Sequence, residues 1–255
     1  MIMILDRMVA NKHQEVEELV TPRRGLSEAV RKKGLSVIGE IKRASPSKGV
    51  INGRVDPRAQ LRLYEEGGAD AVSILTDRVF FGGSGEDFRL LRGNTSLPLL
   101  RKDFIVAEIQ VYESLFLGAD ALLLIAAVLP KEELKALLKL TRTLGMEAIV
   151  EVHTEEEMES VLDLEPTLLG INNRNLDDFS VDLRTTERLL NRLTTLTGAD
   201  RPLVISESGV SSEGDAAWLA GLGVDAVLVG EALMRSENPA ASLRAFKRAG
   251  RGRAA

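Results

Sequence analysis

Short, unbroken apolar runs recur along the chain. They alternate with stretches whose apolar residues return every three or four positions. The runs cover residues 36–41, 71–75, 98–101, 121–126, 148–152, 168–172, 203–206 and 226–229. A continuous run of this length predicts a strand covered on both faces, as in a parallel sheet. The intervening stretches predict helices. Asp56-Pro57 supplies a cap and a first-turn proline ahead of Leu61, Leu63 and Tyr64. Residues 132–144 carry Leu134, Leu137, Leu138 and Leu140 at helical spacing. Thr154 followed by Glu157 reads as a capping box, and Ser212 opens a helix through Trp218 and Leu219.

Three strands are announced by one phrase: Gly67-Gly68-Ala69-Asp70-Ala71, Gly118-Ala119-Asp120-Ala121 and Gly223-Val224-Asp225-Ala226. The glycine ends a helix, the aspartate occupies a tight turn, and the strand starts at alanine. Eight predicted strands with helices between them match an α/β fold, the (βα)8 TIM barrel. An open doubly wound sheet is the competing architecture. No Gly-x-Gly-x-x-Gly follows the first strand, so a dinucleotide site has little support. Residues 2–20 are helical by pattern, which predicts an extra N-terminal helix packed on the barrel. No linker or composition shift divides the chain, so residues 1–255 read as one domain, with 1–35 a helical extension.

Composition narrows the chemistry. The 255 residues carry 33 Lys and Arg against 38 Asp and Glu, a net charge of −5, with 44% hydrophobic residues. That balance, with no basic run and 4% aromatics, argues against a nucleic-acid partner. The absence of Cys excludes disulfides, thiolate nucleophiles and Cys-zinc sites. With His13 and His153 as the only histidines, a His-rich metal centre has little to build on. The longest apolar stretch, 121–130, is far shorter than the ~20 residues of a spanning helix. Residues 1–5 are apolar but too short for a signal-peptide core, and Asp6 and Arg7 end them. A cytoplasmic protein without a membrane partner is the expectation.

A barrel predicts its own active site, at the C-terminal ends of the strands. Those ends hold Glu40 and Lys42, then Lys102, Glu151, Asn172 and Glu207. Glu40 and Lys42 share strand parity and can both face the mouth. A structural ion-pair layer would also satisfy buried charges. Five charged residues at one end favour an acid–base site. On the same reading Asp103 orients Lys102 or caps the next helix, His153 is a loop or packing residue, and His13 lies on the surface. The loop Phe80-Phe81-Gly82-Gly83-Ser84-Gly85 is either an apolar ligand surface or a flexible turn, and Phe104 sits in the matching place one strand later. Ser208-Gly209 and Gly230-Glu231 close the last two strands, where barrels bind phosphate with backbone N–H groups and a short helix.

Four phrases carry a resemblance. They are Val37-Ile38-Gly39-Glu40-Ile41-Lys42-Arg43-Ala44-Ser45-Pro46-Ser47-Lys48-Gly49, Leu100-Arg101-Lys102-Asp103-Phe104-Ile105, Gly170-Ile171-Asn172-Asn173-Arg174-Asn175-Leu176 and Ser206-Glu207-Ser208-Gly209-Val210. The chain resembles the indole-3-glycerol phosphate synthases of tryptophan biosynthesis. The resemblance implies a carboxy-lyase acting on 1-(2-carboxyphenylamino)-1-deoxyribulose 5-phosphate, with indole-3-glycerol phosphate, carbon dioxide and water as products. It implies no metal and no organic cofactor, a small-molecule partner, and other tryptophan-pathway enzymes as the candidate protein partners.

By the same resemblance Glu40, Lys42, Lys102, Glu151, Asn172 and Glu207 are the polar active-site set. Lys102 is the acid for ring closure, with Lys42 the alternative donor. Glu151 serves dehydration, as base or in relay with Lys42. Lys42 and Arg174 hold the substrate carboxylate, while Glu40, Glu207 and Asn172 orient these groups. Ser45, Arg174, Ser208, Gly209, Gly230 and Glu231 match substrate-binding positions, and Phe81 and Phe104 the aromatic pocket. Glu231 stands where some relatives carry serine, which leaves backbone N–H groups to bind phosphate there. The rival readings are a phosphosugar isomerase, which would want a cysteine base, and a non-catalytic barrel, which predicts erosion of the acid–base set.

Overall fold

A computed structural model describes residues 4–20, 24–32 and 34–252. Eight parallel strands close into a barrel: β1 (Ser36–Ile41), β2 (Ala71–Leu75), β3 (Leu99–Lys102), β4 (Ala121–Ile125), β5 (Glu147–Val152), β6 (Leu168–Asn172), β7 (Leu203–Glu207) and β8 (Ala226–Val229). Each strand pairs with its sequence neighbours, and β1 pairs with β8 to complete the circle. The open-sheet alternative is thereby excluded.

Helices follow the strands as the periodicity predicts. Two precede the barrel, α1 (Ile4–Val20) and α2 (Leu26–Val30). Then come α3 (Pro57–Gly67), α4 (Gly85–Arg92), α5 (Glu108–Leu117), α6 (Lys131–Thr143), α7 (Glu155–Leu162), α8 (Arg184–Thr197), α9 (Glu213–Leu222), α10 (Glu231–Arg235) and α11 (Pro239–Ala249). No described helix is long and apolar enough to cross a membrane.

Apolar side chains fill two regions. One lies between strands and helices and includes Val72, Leu122, Val150, Leu189 and Leu219. The other plugs the barrel interior with Ile38, Leu100, Leu123, Ile149, Ile205 and Leu228. Inward positions alternate around the barrel, so the odd strands β1, β3, β5 and β7 contribute one side chain each to a shared layer. Above the plug that layer is Glu40, Lys102, Glu151 and Glu207.

Three local expectations change. Residues 4–16 of α1 are exposed, including Ile4, Leu5, Met8, Val9 and Val16, so this stretch does not pack on the barrel as its pattern suggested. Positions 2 and 3 of that predicted helix lie outside the described residues. A small antiparallel hairpin, Ala44–Ser45 with Gly49–Val50, sits in the loop after β1, where two-residue strands are too short to leave a pattern. Thr154 does accept from the Glu157 amide at the start of α7, but the Glu157 carboxylate reaches one residue further back, to the His153 amide at 2.7 Å.

The repeated phrase has a common structural role at the closed end of the barrel. Asp70 accepts the Val37 amide at 2.9 Å, Asp120 the Leu99 amide at 2.8 Å, and Asp225 the Val204 amide at 2.8 Å. Each also faces a cation: Lys247 at 2.9 Å for Asp70, Arg92 for Asp120, and Arg201 at 2.6 Å for Asp225. One turn thus locks the start of a neighbouring strand. Asp70→Ala leaves a buried amide and a lysine without their acceptor, so it should cost about 1.5–3 kcal/mol. A lower urea midpoint with an unchanged far-UV circular dichroism spectrum of the folded protein is the expected result.

Candidate active site

Lys102 is the last residue of β3, Glu151 the fifth of β5, and Glu207 the last of β7. All three are strand residues, so the ladder hydrogen bonds fix their backbones. Lys102 Nζ lies 3.0 Å from Glu151 Oε2 and 3.0 Å from Glu207 Oε2. To Glu151 it donates a directed hydrogen bond. To Glu207 the approach is an ion pair without hydrogen-bond direction, and neither Glu207 oxygen has a hydrogen-bond donor among the described residues. A second ion pair, Lys42 Nζ to Glu40 Oε1 at 2.7 Å, stands over the β1 end.

Two glycines make room for these charges. A Cβ on Gly170 would come within 2.3 Å of Glu207 Oε1, and one on Gly230 would come within 2.3 Å of Glu40 Oε1 and 2.9 Å of Lys42 Nζ. Gly170 is the β6 partner of Glu151 in register, so the Glu207 side chain leans over it toward Glu151. Asn172 donates to Glu151 Oε1 at 3.1 Å and accepts the Arg174 amide at 3.1 Å.

Burial shifts the protonation equilibria of this cluster. For Lys102, burial favours the neutral amine, but the charges of Glu151, Glu207 and Glu40 outweigh it and hold the ammonium protonated well above the ordinary lysine range. For Glu151, burial favours the acid, and Lys102, His153 and Asn172 reverse the balance, so its carboxylate stays ionised. Glu207 is pushed up to about 7, chiefly by burial; Lys102 opposes the rise and the Glu151 charge adds to it.

The remaining sequence candidates line the same mouth or its loops. Phe81 and Phe104 face each other with ring centroids 6.4 Å apart. The Phe81 loop is built rather than loose: Asp77 accepts the Phe80 and Phe81 amides, and the Phe81 carbonyl accepts the Ala44 amide. Ser45 lies half-buried in the hairpin and accepts the Lys48 amide through its carbonyl. Arg174 donates to the Phe179 carbonyl of its own loop at 3.1 Å. Ser208 and Gly209 both have positive φ, 64° and 94°, which turns the chain sharply after β7. Strain of this kind at a non-glycine residue accumulates at functional sites. The Glu231 carboxylate turns along α10 to Arg235 at 3.1 Å.

Four residues take roles that the sequence did not suggest. Asp103 pairs with Arg101 and Thr76 on the outer side of β3 instead of orienting Lys102. Arg101, buried there, also reaches the Gln110 carbonyl, Ser114 and Glu113 of α5, anchoring the strand that carries Lys102. Asn173 donates to Ser206 Oγ and to the carbonyls of Glu207 and Ser208, fixing the end of β7. Its phrase Asn172-Asn173 was visible, but only the fold reveals that the second amide turns outward. His153 lies in the loop after β5, as the sequence suggested, but its ring has a further role. Its ring stands between two carboxylates, with Nε2 3.4 Å from Glu151 Oε1 and Nδ1 3.2 Å from Glu157 Oε2.

A carboxyl with a raised pKa binds an extra proton in the native state between its ordinary 4.5 and about 7. Its contribution to stability therefore falls as pH rises through that window. Glu207→Gln should be more stable than the parent at pH 8, by roughly 1–3 kcal/mol, and the gain should vanish near pH 5. Urea unfolding at the two pH values measures it.

Comparison with known proteins places this geometry in context. The family profile described as indole-3-glycerol phosphate synthase matches residues 4–246. The indole-3-glycerol phosphate synthase of Petrotoga mobilis is 50% identical over 237 residues, covering 93% of this chain and 94% of that protein. That of Bacillus cereus is 48% identical over 242 residues, covering 92% and 94%. Among solved structures, 3-hexulose-6-phosphate synthase from Salmonella typhimurium superposes with a TM-score of 0.64 over 86% of this chain and 100% of that one, at 12% identity, a likeness of fold alone.

Proposed function

Because the chain belongs to the indole-3-glycerol phosphate synthase family, we propose that Lys102 donates the proton of ring closure and that Glu151 acts as base in the dehydration. The activity is that of a carboxy-lyase of tryptophan biosynthesis. It closes 1-(2-carboxyphenylamino)-1-deoxyribulose 5-phosphate to indole-3-glycerol phosphate, with loss of carbon dioxide and water. The observation that carries the assignment of roles is the Lys102 ammonium 3.0 Å from two carboxylates at the mouth of the barrel.

Ring closure forms a carbon–carbon bond between the aromatic ring and the ketone carbon, and negative charge gathers on the ketone oxygen. That developing alkoxide is a stronger base than any carboxylate nearby. It can take a proton that Glu151 and Glu207 leave on the ammonium. Loss of carbon dioxide restores aromaticity. Departure of the hydroxyl then needs a proton delivered to it and one removed from the ring system. An ionised Glu151 suits removal, and Lys102, or Lys42 across the mouth, suits delivery.

Binding follows the same reading. The benzene ring lies against Phe81 and Phe104. Lys42 holds the carboxylate, and Arg174, whose Nη1 donates to the Phe179 carbonyl, joins it with its remaining donors. The phosphate rests on backbone N–H groups around Ser208-Gly209 and at Gly230, where the first turn of α10 has amides without helical acceptors. Glu231 contributes its amide rather than its side chain, which Arg235 engages. Ser45 stands with the first loop as a further contact. A cytoplasmic enzyme, working beside others of the pathway, completes the proposal.

Lys102→Met keeps the stem and removes the proton. The carboxylates it leaves behind can take up protons, so the barrel should stay folded. Loss of a general acid costs ~10²–10⁴-fold in rate. A fluorescence assay of indole-3-glycerol phosphate formation should show that fall in kcat, with a reduced substrate analogue still bound, and Glu151→Gln should behave likewise. Turnover of Lys102→Met near the parent rate would move the donor to Lys42. Phe81→Ala should raise KM by about 2–10-fold, in keeping with an aromatic contact of roughly 0.5–1.5 kcal/mol; unchanged KM and kcat would return Phe81 to packing.

A further inference from the structure

We propose that His153 is a positioning residue for Glu151, oriented by Glu157 so that its Nε2–H faces the carboxylate that the reaction uses. The inference rests on the reading of Glu151 as the dehydration base. Its starting point is the orientation of the imidazole. Glu157 Oε2 is fixed by the His153 backbone amide at 2.7 Å, and the same oxygen lies 3.2 Å from His153 Nδ1. A carboxylate so placed holds a proton on Nδ1. In the singly protonated ring Nε2 is then a lone pair, buried, 3.4 Å from Glu151 Oε1, with no directed hydrogen-bond partner among the described residues. Lone pair facing carboxylate is repulsive. A second proton turns the same contact into an ion pair. The geometry thus ties the charge of the ring to the charge of Glu151.

The groups around His153 agree on the sign. Glu151 faces it from β5, Glu157 from α7 and Glu207 from β7, while Lys102 on β3 lies beyond Glu151. Burial pulls the imidazole toward neutrality, but the hydrogen bond to Glu157 and the three carboxylates outweigh that and raise its pKa above the usual histidine range. Reciprocally, His153 helps to keep Glu151 ionised. The consequence for the reaction is twofold. Asn172 and His153 together engage Oε1, which leaves Oε2 for Lys102 and the substrate. A cationic ring also keeps the base deprotonated and ready. Deprotonating the ring at alkaline pH releases its hold on Oε1, while Glu151 itself stays ionised there, so turnover should fall through lost orientation as His153 loses its second proton.

The chain has two histidines, which makes the test direct. In imidazole NMR titrations of the full chain, His153 should titrate above a blocked histidine peptide in the same buffer. Glu157→Gln and Glu151→Gln should each bring its midpoint down. In kinetics, the alkaline limb of kcat should coincide with that midpoint, and Glu157→Gln should move the limb to lower pH. His153→Gln should abolish the limb and lower kcat about tenfold, the cost of a base no longer held in its productive orientation, with KM little changed. A purely structural His153 would give a lower melting temperature and an unmoved pH profile. His153 titrating at or below the blocked histidine peptide overturns the proposal. So does a parental pH profile in His153→Gln while Glu151→Gln is inactive. If Glu151→Gln itself turned over normally, the role of Glu151 would fail instead, and the NMR titrations would still decide whether the ring and that carboxylate are coupled.

Discussion

An ammonium buried between carboxylates stays in place only while every partner is held. Taking such ions out of water costs several kcal/mol each, and their attraction offsets that cost only in good geometry. Here Lys102, Glu151 and Glu207 come from three different strands and meet within 3.0 Å. No single segment could bring them together. Closure of the barrel does so, because alternate strands send their inward side chains to a common layer. The rest of the mouth serves that layer: Gly170 makes room for Glu207, Asn172 steadies Glu151, and Arg101 ties the strand of Lys102 to α5.

The two ends of the barrel divide the work. At the closed end, carboxylates of Asp70, Asp120 and Asp225 are satisfied by backbone amides and cations, and all of their pairing is structural. At the open end, Glu207 has two buried oxygens without directed donors. A carboxylate satisfied by hydrogen bonds stabilises; one held by an ion pair without directed hydrogen bonds is costlier than folding alone requires. The same residue type therefore marks stability at one face and chemistry at the other, as barrel architecture requires.

Much of this was legible in the sequence, and the reason is periodicity. Strands buried on both faces leave continuous apolar runs, so all eight were visible, with ends displaced by about one residue. Those small displacements still mattered: Lys102 and Glu207 turned out to be strand residues rather than loop residues. The repeated Gly-x-Asp-Ala phrase marked the turns but not the reach of the aspartates to neighbouring strands, which is a long-range contact. The exposed apolar side of α1 shows the converse limit, since amphipathic spacing gives a helix but not its partner. Asn173 and Arg101 were passed over because each acts through groups distant in sequence, or on the outer side of a strand whose inner side drew attention. His153 was placed in its loop, but only the fold turns its ring between Glu151 and Glu157.

The charge balance of the mouth gives Glu207 a meaning beyond position. Glu40, Glu151 and Glu207 face Lys42 and Lys102, so with every group ionised the set carries one net negative charge. The substrate brings a carboxylate and a phosphate, and both must enter against that charge. A Glu207 that titrates at about 7 can take up a proton as the anion arrives, which leaves the set neutral and frees Lys102 from one of its two partners. Burial produces that pKa, because desolvation is its largest cause. The apolar plug beneath the mouth is therefore part of the chemistry: it sets the protonation of the layer above it while it holds the barrel together.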